Sequence, residues 1–356
     1  MPESTGTNFD AKENAREYYG KELTNTSDLK TTACCTTESI PDYVKKVLVE
    51  IHAEVLTKYY GCGTAFPPDL HGLKVLDLGC GTGRDSYVMS KLVGPEGFVF
   101  GLDMTTEQVE VARRHQQYMA EKFGYAESNV EFVQDVIENM DQHFEADSLD
   151  MVTSNCVINL LQDKEPVLAK VYSLLRQGGE FYFSDVYVDR RLPEEVKTHP
   201  MLHGECLGGA LYDGDFERMA RRVGFVDPRL VSSRVIELEP EVETLVNNAV
   251  FTSRTYRLWK IEGLEETCED FGQVAIYNGG HPEGKDRYTL DKEHVFDRGR
   301  PESVCGNTVK VLTESRLAPF FKVHGDFSTH YGLFTGCGTE AFNRLQSNDD
   351  DAGCGC

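Results

Sequence analysis

The sequence predicts an α/β fold with a doubly wound, mostly parallel sheet, followed by smaller mixed units. Three observations predict it. Short apolar strands alternate with amphipathic helices from Lys74 to Ser184. A glycine-rich turn, Asp77-Leu78-Gly79-Cys80-Gly81-Thr82-Gly83, joins the first strand to the first helix of that series. Carboxylates, Asp103 and Asp135, end the next two strands. Alternation of this kind needs crossover connections, and these give parallel pairing.

Residues 9–23 read as a short helix with Tyr18, Tyr19 and Leu23 toward one side, and 24–40 as a loop holding Cys34-Cys35. Ser39 and Pro41 form a helix start, a capping hydroxyl followed by a proline near the first turn. Val44, Val47, Leu48, Ile51 and Val55 then recur at helical spacing, and this helix is expected to end by Gly61. Strands are expected at 74–78, 98–103, 130–134, 149–154 and 180–184, with helices at 84–93, 105–123 and 166–175 between them. Residues 190–214 read as a loop, 216–223 as a helix and 229–238 as a strand. Residues 250–280 hold two more strands, and 281–345 are mixed. Soft boundaries are placed near 190 and 280, and the acidic tail 346–356 is expected to be disordered.

The chain has 356 residues, and 59 Asp and Glu against 36 Lys and Arg leave a net charge of −23. That balance argues against nucleic acid and anionic membrane surfaces as partners, since both are polyanions. Met1–Lys30 has no apolar core of signal-peptide length, and no run of about 18 apolar residues occurs. The expectation is a soluble, cytoplasmic protein, with nothing requiring more than a monomer. Eleven cysteines are many for a reducing compartment. There they serve as ligands, nucleophiles or core fillers rather than structural bridges.

Glycines at a strand–helix turn let a ligand approach bare backbone, and a strand-end carboxylate suits ribose hydroxyls. Asp103 lies 24 positions after Gly79. A dinucleotide fingerprint would place its third glycine where Arg84 stands, which weakens a nicotinamide dehydrogenase as the alternative. The set of Asp77–Gly83, Asp103 and Asp135 resembles the motifs of Rossmann-like class I S-adenosylmethionine methyltransferases over residues 72–186. The resemblance implies cofactor contacts at Gly79, Gly81, Asp103, Met104, Val136, Ile137 and Asn155.

Oxygen and nitrogen acceptors often need a general base, and no base dyad is evident here. Cysteines stand instead where the acceptor belongs. Cys156 follows the fourth strand, at the end of the sheet where ligands bind. Cys206 sits in a glycine-flanked loop after the fifth strand, and Cys62 lies between Gly61 and Gly63. None of the three sits in an apolar run that would bury it. Zinc favours four ligands with paired spacing such as C-x₂-C, absent here, so no metal cofactor is expected. Isolated thiolates suit a soft three-coordinate centre, and arsenic bound by three sulfurs keeps a lone pair.

Three stretches together resemble arsenite methyltransferases over about residues 30–345: Tyr59-Tyr60-Gly61-Cys62-Gly63, Ser154-Asn155-Cys156-Val157-Ile158-Asn159-Leu160, and His203-Gly204-Glu205-Cys206-Leu207-Gly208-Gly209-Ala210-Leu211-Tyr212. The resemblance implies that Cys156 and Cys206 hold trivalent arsenic throughout. It implies that Cys62 joins them as a ligand or forms a disulfide with a fourth cysteine. Cys34 or Cys35 matches that fourth position, with Cys34 favoured. It also places Tyr60 near the cofactor. The implied substrates are arsenite and methylarsenite, free or as glutathione conjugates, with thioredoxin or glutathione as reductant and mono- and dimethylated products. On this basis 1–71 holds N-terminal helices and cysteine loops, and 72–189 the S-adenosylmethionine-binding domain. Residues 190–280 form the arsenic-binding unit and 281–345 a C-terminal domain. Cys80, Cys268, Cys305 and Cys337 are read as structural, and His71, His199 and His203 are not assigned as ligands. Cys354 and Cys356 either capture arsenic or are incidental. Two alternatives stand beside this: a methyltransferase of an organic small molecule, and a non-enzymatic arsenic sensor on the same fold.

Overall fold

The computed structural model describes residues 9–22, 40–57, 61–281 and 283–334. Cys34, Cys35, Tyr60, Cys337, Cys354 and Cys356 lie outside the described residues. The chain divides into two compact units, one through Lys260 and one from Ile261.

The first unit opens with helix α1 (Ala11–Glu17), whose N-terminus Asp10 caps by accepting from the Lys12 and Glu13 amides. A wider turn, Tyr18–Glu22, continues it. The single helix expected after Pro41 is two, α2 (Asp42–Leu48) and α3 (Ala53–Leu56). The break is local chemistry: His52 takes an extended conformation and its Nδ1 accepts from the Glu54 amide, which starts a new helix.

The strand–helix series follows as expected. It runs β1 (Lys74–Leu78), α4 (Arg84–Val93), β2 (Phe98–Asp103), α5 (Thr106–Arg114), α6 (Gln116–Phe123) and β3 (Val130–Gln134). Then come β4 (Leu149–Asn155), α7 (Glu165–Leu174) and β5 (Leu175–Val188). The helix expected over 105–123 breaks at His115, whose Nε2 pairs with Glu54 Oε2 at 2.7 Å. The segment 190–214, expected to be loop, holds α8 (Glu194–Lys197) and α9 (Pro200–Gly204), then β6 (Leu211–Tyr212). These helices are too short to leave a periodic signature, although α9 does carry proline in its first turn. Helix α10 (Asp213–Arg222), β7 (Arg229–Val235), α11 (Pro240–Leu245) and β8 (Phe251–Trp259) complete the unit.

The main sheet has the order β3-β2-β1-β4-β5-β8-β7, with β6 paired to β5. Strands β1 to β5 pair in parallel, and β8 is inserted antiparallel between β5 and β7. The sheet therefore runs through the boundary expected near 190. Strand β8 also pairs with β5 along nine residues, from Glu180–Trp259 to Val188–Phe251, so residues 229–259 belong to the cofactor-domain sheet. One apolar cluster lies under α2–α5, a second under α7 and α10, and a third packs around Cys62, Cys156 and Cys206.

The second unit contains a three-stranded antiparallel sheet in the order β13-β10-β14 and two strand pairs, β11–β12 and β9–β15. Its elements are β9 (Glu269–Asp270), β10 (Gln273–Tyr277), β11 (Arg287–Thr289), β12 (Val295–Asp297), β13 (Pro301–Val304), α12 (Gly306–Glu314), β14 (Phe321–His324) and β15 (Gly332–Leu333). Buried Tyr277, Tyr288, Phe296 and Phe321 form its core. The two strands expected within 250–280 thus fall in different units, and the division lies at 260 rather than near 280. Among the described residues no helix is long and apolar enough to cross a membrane.

Candidate active site

In the sheet order, neighbours β1 and β4 have connections that leave in opposite directions, and a crevice opens there beyond the strands' carboxyl ends. A cavity of about 370 Å³ occupies it, lined by the glycine loop, Asp103, Met104, Ile137, Asn155 and Cys156. Gly79 has φ 69°, and a Cβ there would sit 2.4 Å from Val157 Cγ2, so only glycine lets the loop turn under the cavity. Asp103 accepts from the Gly81 amide at 2.9 Å and the Thr105 amide at 2.8 Å, which ties the end of β2 to the glycine loop. Burial raises its carboxyl above the usual range despite these bonds. Arg84 and Asp85, the first residues of α4, also line the cavity and pair at 3.1 Å. Val136 is half-buried and does not line the cavity, whereas Ile137 does.

Asn155 ends β4 and spans two elements. Its Oδ1 accepts from the Cys62 and Gly63 amides at 3.0 and 3.2 Å, and its Nδ2 donates to Gly63 O and Asp85 Oδ2. It therefore holds the Cys62 loop against the first turn of α4.

The three cysteines converge although they come from separate loops. Cys62 and Cys156, 94 residues apart, are joined as a disulfide with Cα atoms 5.5 Å apart. The pairing of Cys62 with Cys34 that the resemblance implied for turnover involves a residue outside the described ones; among the described residues the partner of Cys62 is Cys156. The Cys206 thiol donates to the Cys156 carbonyl at 3.2 Å. All three are buried, with 1%, 3% and 0% of their surface exposed, in an apolar cluster that includes Val186, Leu202 and Leu207. This corrects the expectation drawn from their polar sequence surroundings. For Cys62 and Cys156 the burying residues come from β5, β8 and the 190–250 segment, far from either in the chain, whereas Cys206 is also covered by its own neighbour Leu207.

Cys156 and Cys206 both adopt the left-handed backbone conformation, φ 61° and 62°. For a residue with a Cβ this costs about 1–2 kcal/mol, and such strain gathers at functional sites. Asn159 supports both turns, donating to Val186 O at 2.6 Å and to Cys206 O at 3.4 Å. Gly209 packs on the same turn: a Cβ there would lie 1.8 Å from the Asn159 carbonyl oxygen. We expect Gly209→Ala to cost about 1–3 kcal/mol of stability. It should lower kcat/KM for the acceptor while leaving cofactor affinity within about twofold, as measured by denaturation and equilibrium titration.

Sequence reasoning missed Asp185. One of its oxygens lies with Cys62 Sγ and Cys156 Sγ in a group whose atoms are all within 4.8 Å of one another. Its carboxylate accepts from the Asn159 amide at 3.1 Å and the Val186 amide at 2.8 Å. Burial pushes its carboxyl up to about 7, while burial pulls the Lys164 ammonium nearby down to about 8. An unfolded aspartate titrates at about 3.9, so Asp185 takes up a proton on folding between about pH 4 and 7. Its contribution to stability is therefore lost as pH rises through that window. Urea denaturation of the arsenic-free protein should show it: Asp185→Asn should flatten the fall in stability by up to about 1.4 kcal/mol per pH unit.

Helix α1 was not connected to the cavity in the sequence either. Asp10, Lys12, Ala15 and Tyr19 line it together with the glycine loop. Nothing in the local pattern of residues 10–19 identifies a partner nearly two hundred residues away.

A methyltransferase-domain family matches residues 69–224, the segment holding the glycine loop and both buried turns. Arsenite methyltransferases match almost the whole chain. That of Aquipseudomonas alcaligenes is 52% identical over 328 residues, covering 92% of this chain and 94% of the relative. The chain belongs to the arsenite methyltransferase family. The human arsenite methyltransferase is 41% identical over 88% of this chain and 83% of its own length. The crystal structure of an arsenic(III) S-adenosylmethionine methyltransferase from Chlamydomonas reinhardtii superposes with a TM-score of 0.81. It is 49% identical, and the match covers 83% of this chain and all of that one. This arsenite methyltransferase thus has the class I fold expected from its glycine loop and uses S-adenosylmethionine as methyl donor. The cavity fits that cofactor: bare backbone at Gly79, a strand-end carboxylate at Asp103 and Cys156 in its lining.

Proposed function

We propose that the enzyme methylates arsenic held on Cys156, Cys206 and Cys62, and that it carries arsenite to mono- and dimethylated products. The observation that supports this most directly is that Cys156 lines the cofactor cavity while touching both other cysteines. The Cys62–Cys156 pair must first be reduced to two thiols. Each thiol then displaces one hydroxide of arsenite: an As–O bond breaks, an As–S bond forms, and the thiol proton leaves with the hydroxide as water. Three sulfurs leave arsenic pyramidal, with its lone pair free as nucleophile.

When bound, S-adenosylmethionine supplies a methyl group on a sulfonium. Gly79, Gly81, Asp103, Met104, Ile137 and Tyr60 would hold it, and Asn155 fixes the Cys62 loop beside the cavity. The chain's task is positioning: it would hold the arsenic lone pair beside the bound methyl donor. No general base is needed, because the arsenic lone pair carries no proton. Methylation takes arsenic to the pentavalent state. The Cys34 thiolate, favoured over Cys35, then attacks the arsenic-bound Cys62 sulfur: a Cys34–Cys62 S–S bond forms, the As–S bond breaks, and its electron pair returns arsenic to the trivalent state on Cys156 and Cys206. Thioredoxin or glutathione reduces that disulfide. Arsenite and methylarsenite enter free or as glutathione conjugates. We place the enzyme in the cytoplasm as a monomer, where such reductants maintain thiols.

Methylarsenite offers only two exchangeable positions, so Cys156 and Cys206 suffice for it. Product speciation over time tests this division. Cys62→Ser should lose methylation of arsenite and keep that of methylarsenite. Equal loss of both would overturn the division of labour.

A further inference from the structure

We propose that Tyr19 is a further positioning residue of the methyl transfer, its hydroxyl holding the Cys206 sulfur toward the cofactor cavity once that sulfur carries arsenic. Tyr19 follows α1 and lines the cavity. Its hydroxyl donates to Gly204 O at 2.8 Å and lies 3.7 Å from Cys206 Sγ. Its carbonyl accepts from Gln108 Nε2 at 3.3 Å, on the α5 side of the cavity. One residue therefore touches the methyl donor's cavity and the Cys206 turn.

The docking beneath it is firm. Tyr18 OH donates to the buried Glu205 carboxylate at 2.6 Å, and Asn14 Nδ2 donates to Pro200 O at 3.1 Å. Gly204 has no room for a Cβ, which would meet the Tyr18 ring at 2.7 Å. Residues 14–19 are thereby seated on α9 and the turn that follows it.

The hydroxyl's role follows from the proton balance of exchange. In the free thiol state Cys206 donates to the Cys156 carbonyl. When Cys206 displaces hydroxide from arsenite, an As–S bond replaces an As–O bond and the thiol proton leaves as part of water. The sulfur then has no proton to give, and its lone pairs face the lone pairs of the Cys156 carbonyl. Tyr19 O–H can turn from Gly204 O to the sulfur and supply the missing donor. It thereby draws the sulfur off the Cys156 carbonyl and toward Tyr19, a residue that lines the cavity.

This inference rests on the reading of Cys206 as an arsenic ligand. The full-length enzyme tests it with Tyr19→Phe, Tyr19→Ala and Cys206→Ser, measuring steady-state methylation, S-adenosylmethionine affinity by equilibrium titration, and thermal midpoint. Tyr19→Phe keeps the ring and removes the hydroxyl. It should lower kcat/KM for arsenite roughly tenfold, the scale of one hydrogen bond to a polarised atom. Its cofactor Kd should change by less than about twofold, and its thermal midpoint should fall by no more than about 2–4 °C, because the ring packing is kept and only the bond to Gly204 O is lost. Tyr19→Ala should weaken cofactor binding as well, since it removes the wall. If Tyr19→Phe matches wild type, or loses arsenite turnover and cofactor affinity in parallel, the proposal is overturned. Inactive Cys206→Ser beside normal Tyr19→Phe would sink the Tyr19 role alone. Active Cys206→Ser would sink the ligand reading of Cys206, and the Tyr19 role with it.

Discussion

Serine at Cys156 or Cys206 is expected to lower kcat/KM for both arsenite and methylarsenite by at least about 10³-fold, about 4 kcal/mol in the transition state. The physical reason is ligand softness. An alkoxide binds arsenic no better than water does, so a serine ester exchanges away, whereas a thiolate persists. The fold should survive the change at Cys206. A serine hydroxyl can donate to the Cys156 carbonyl as the thiol does at 3.2 Å, and the left-handed backbone at φ 62° costs serine about what it costs cysteine. Cofactor affinity and denaturation midpoint should therefore stay near those of the parent while methylated arsenic disappears from the products. Retention of dimethylarsenic formation by either variant would remove that cysteine from the arsenic site.

The largest loss of stability is expected from Glu180→Ala. Glu180 accepts from Arg257 Nε at 2.6 Å across the β5–β8 pairing, with 0% and 1% of their side chains exposed. The guanidinium also lies 4.9 Å from the Trp259 ring. Removing the carboxylate leaves a cation buried without its counter-charge, which costs about 3–5 kcal/mol. Glu180→Gln keeps an acceptor and should cost less. Urea denaturation reads both. Glu180 stands near the start of β5, whereas Ser184 and Asp185 lie further along, beside the cysteines. KM for S-adenosylmethionine and arsenite should therefore stay unchanged in the folded fraction. A parallel rise in either KM would show that the pair positions the site as well as the sheet.

The sequence by itself determined the parts of this protein that rest on local chemistry. The strand–helix rhythm from Lys74 to Ser184 set the parallel sheet, because apolar spacing reports which face of each element is buried. The turn at Gly79–Gly83 and Asp103 at a strand end marked the cofactor side of that sheet, because a left-handed turn and a strand-end carboxylate are specified within a few residues. The placement of Cys62, Cys156 and Cys206 in loops outside the sheet's core pointed to a soft three-thiolate centre; the resemblance of their three stretches to arsenite methyltransferases is what named arsenic.

Only the tertiary structure decided what depends on contacts distant in the chain. It inserted β8 antiparallel beside β5 and so moved the division of the chain to 260, since strand neighbours are chosen by side-chain packing across the sheet. It buried the cysteines, gave Cys156 and Cys206 left-handed turns, and paired Cys62 with Cys156 across 94 residues. It brought Asp185 against those sulfurs and seated Tyr19 between the cavity and Cys206. Periodicity carries no record of such pairings: each is fixed by the free energy of packing one segment on another, and neither segment alone encodes its partner.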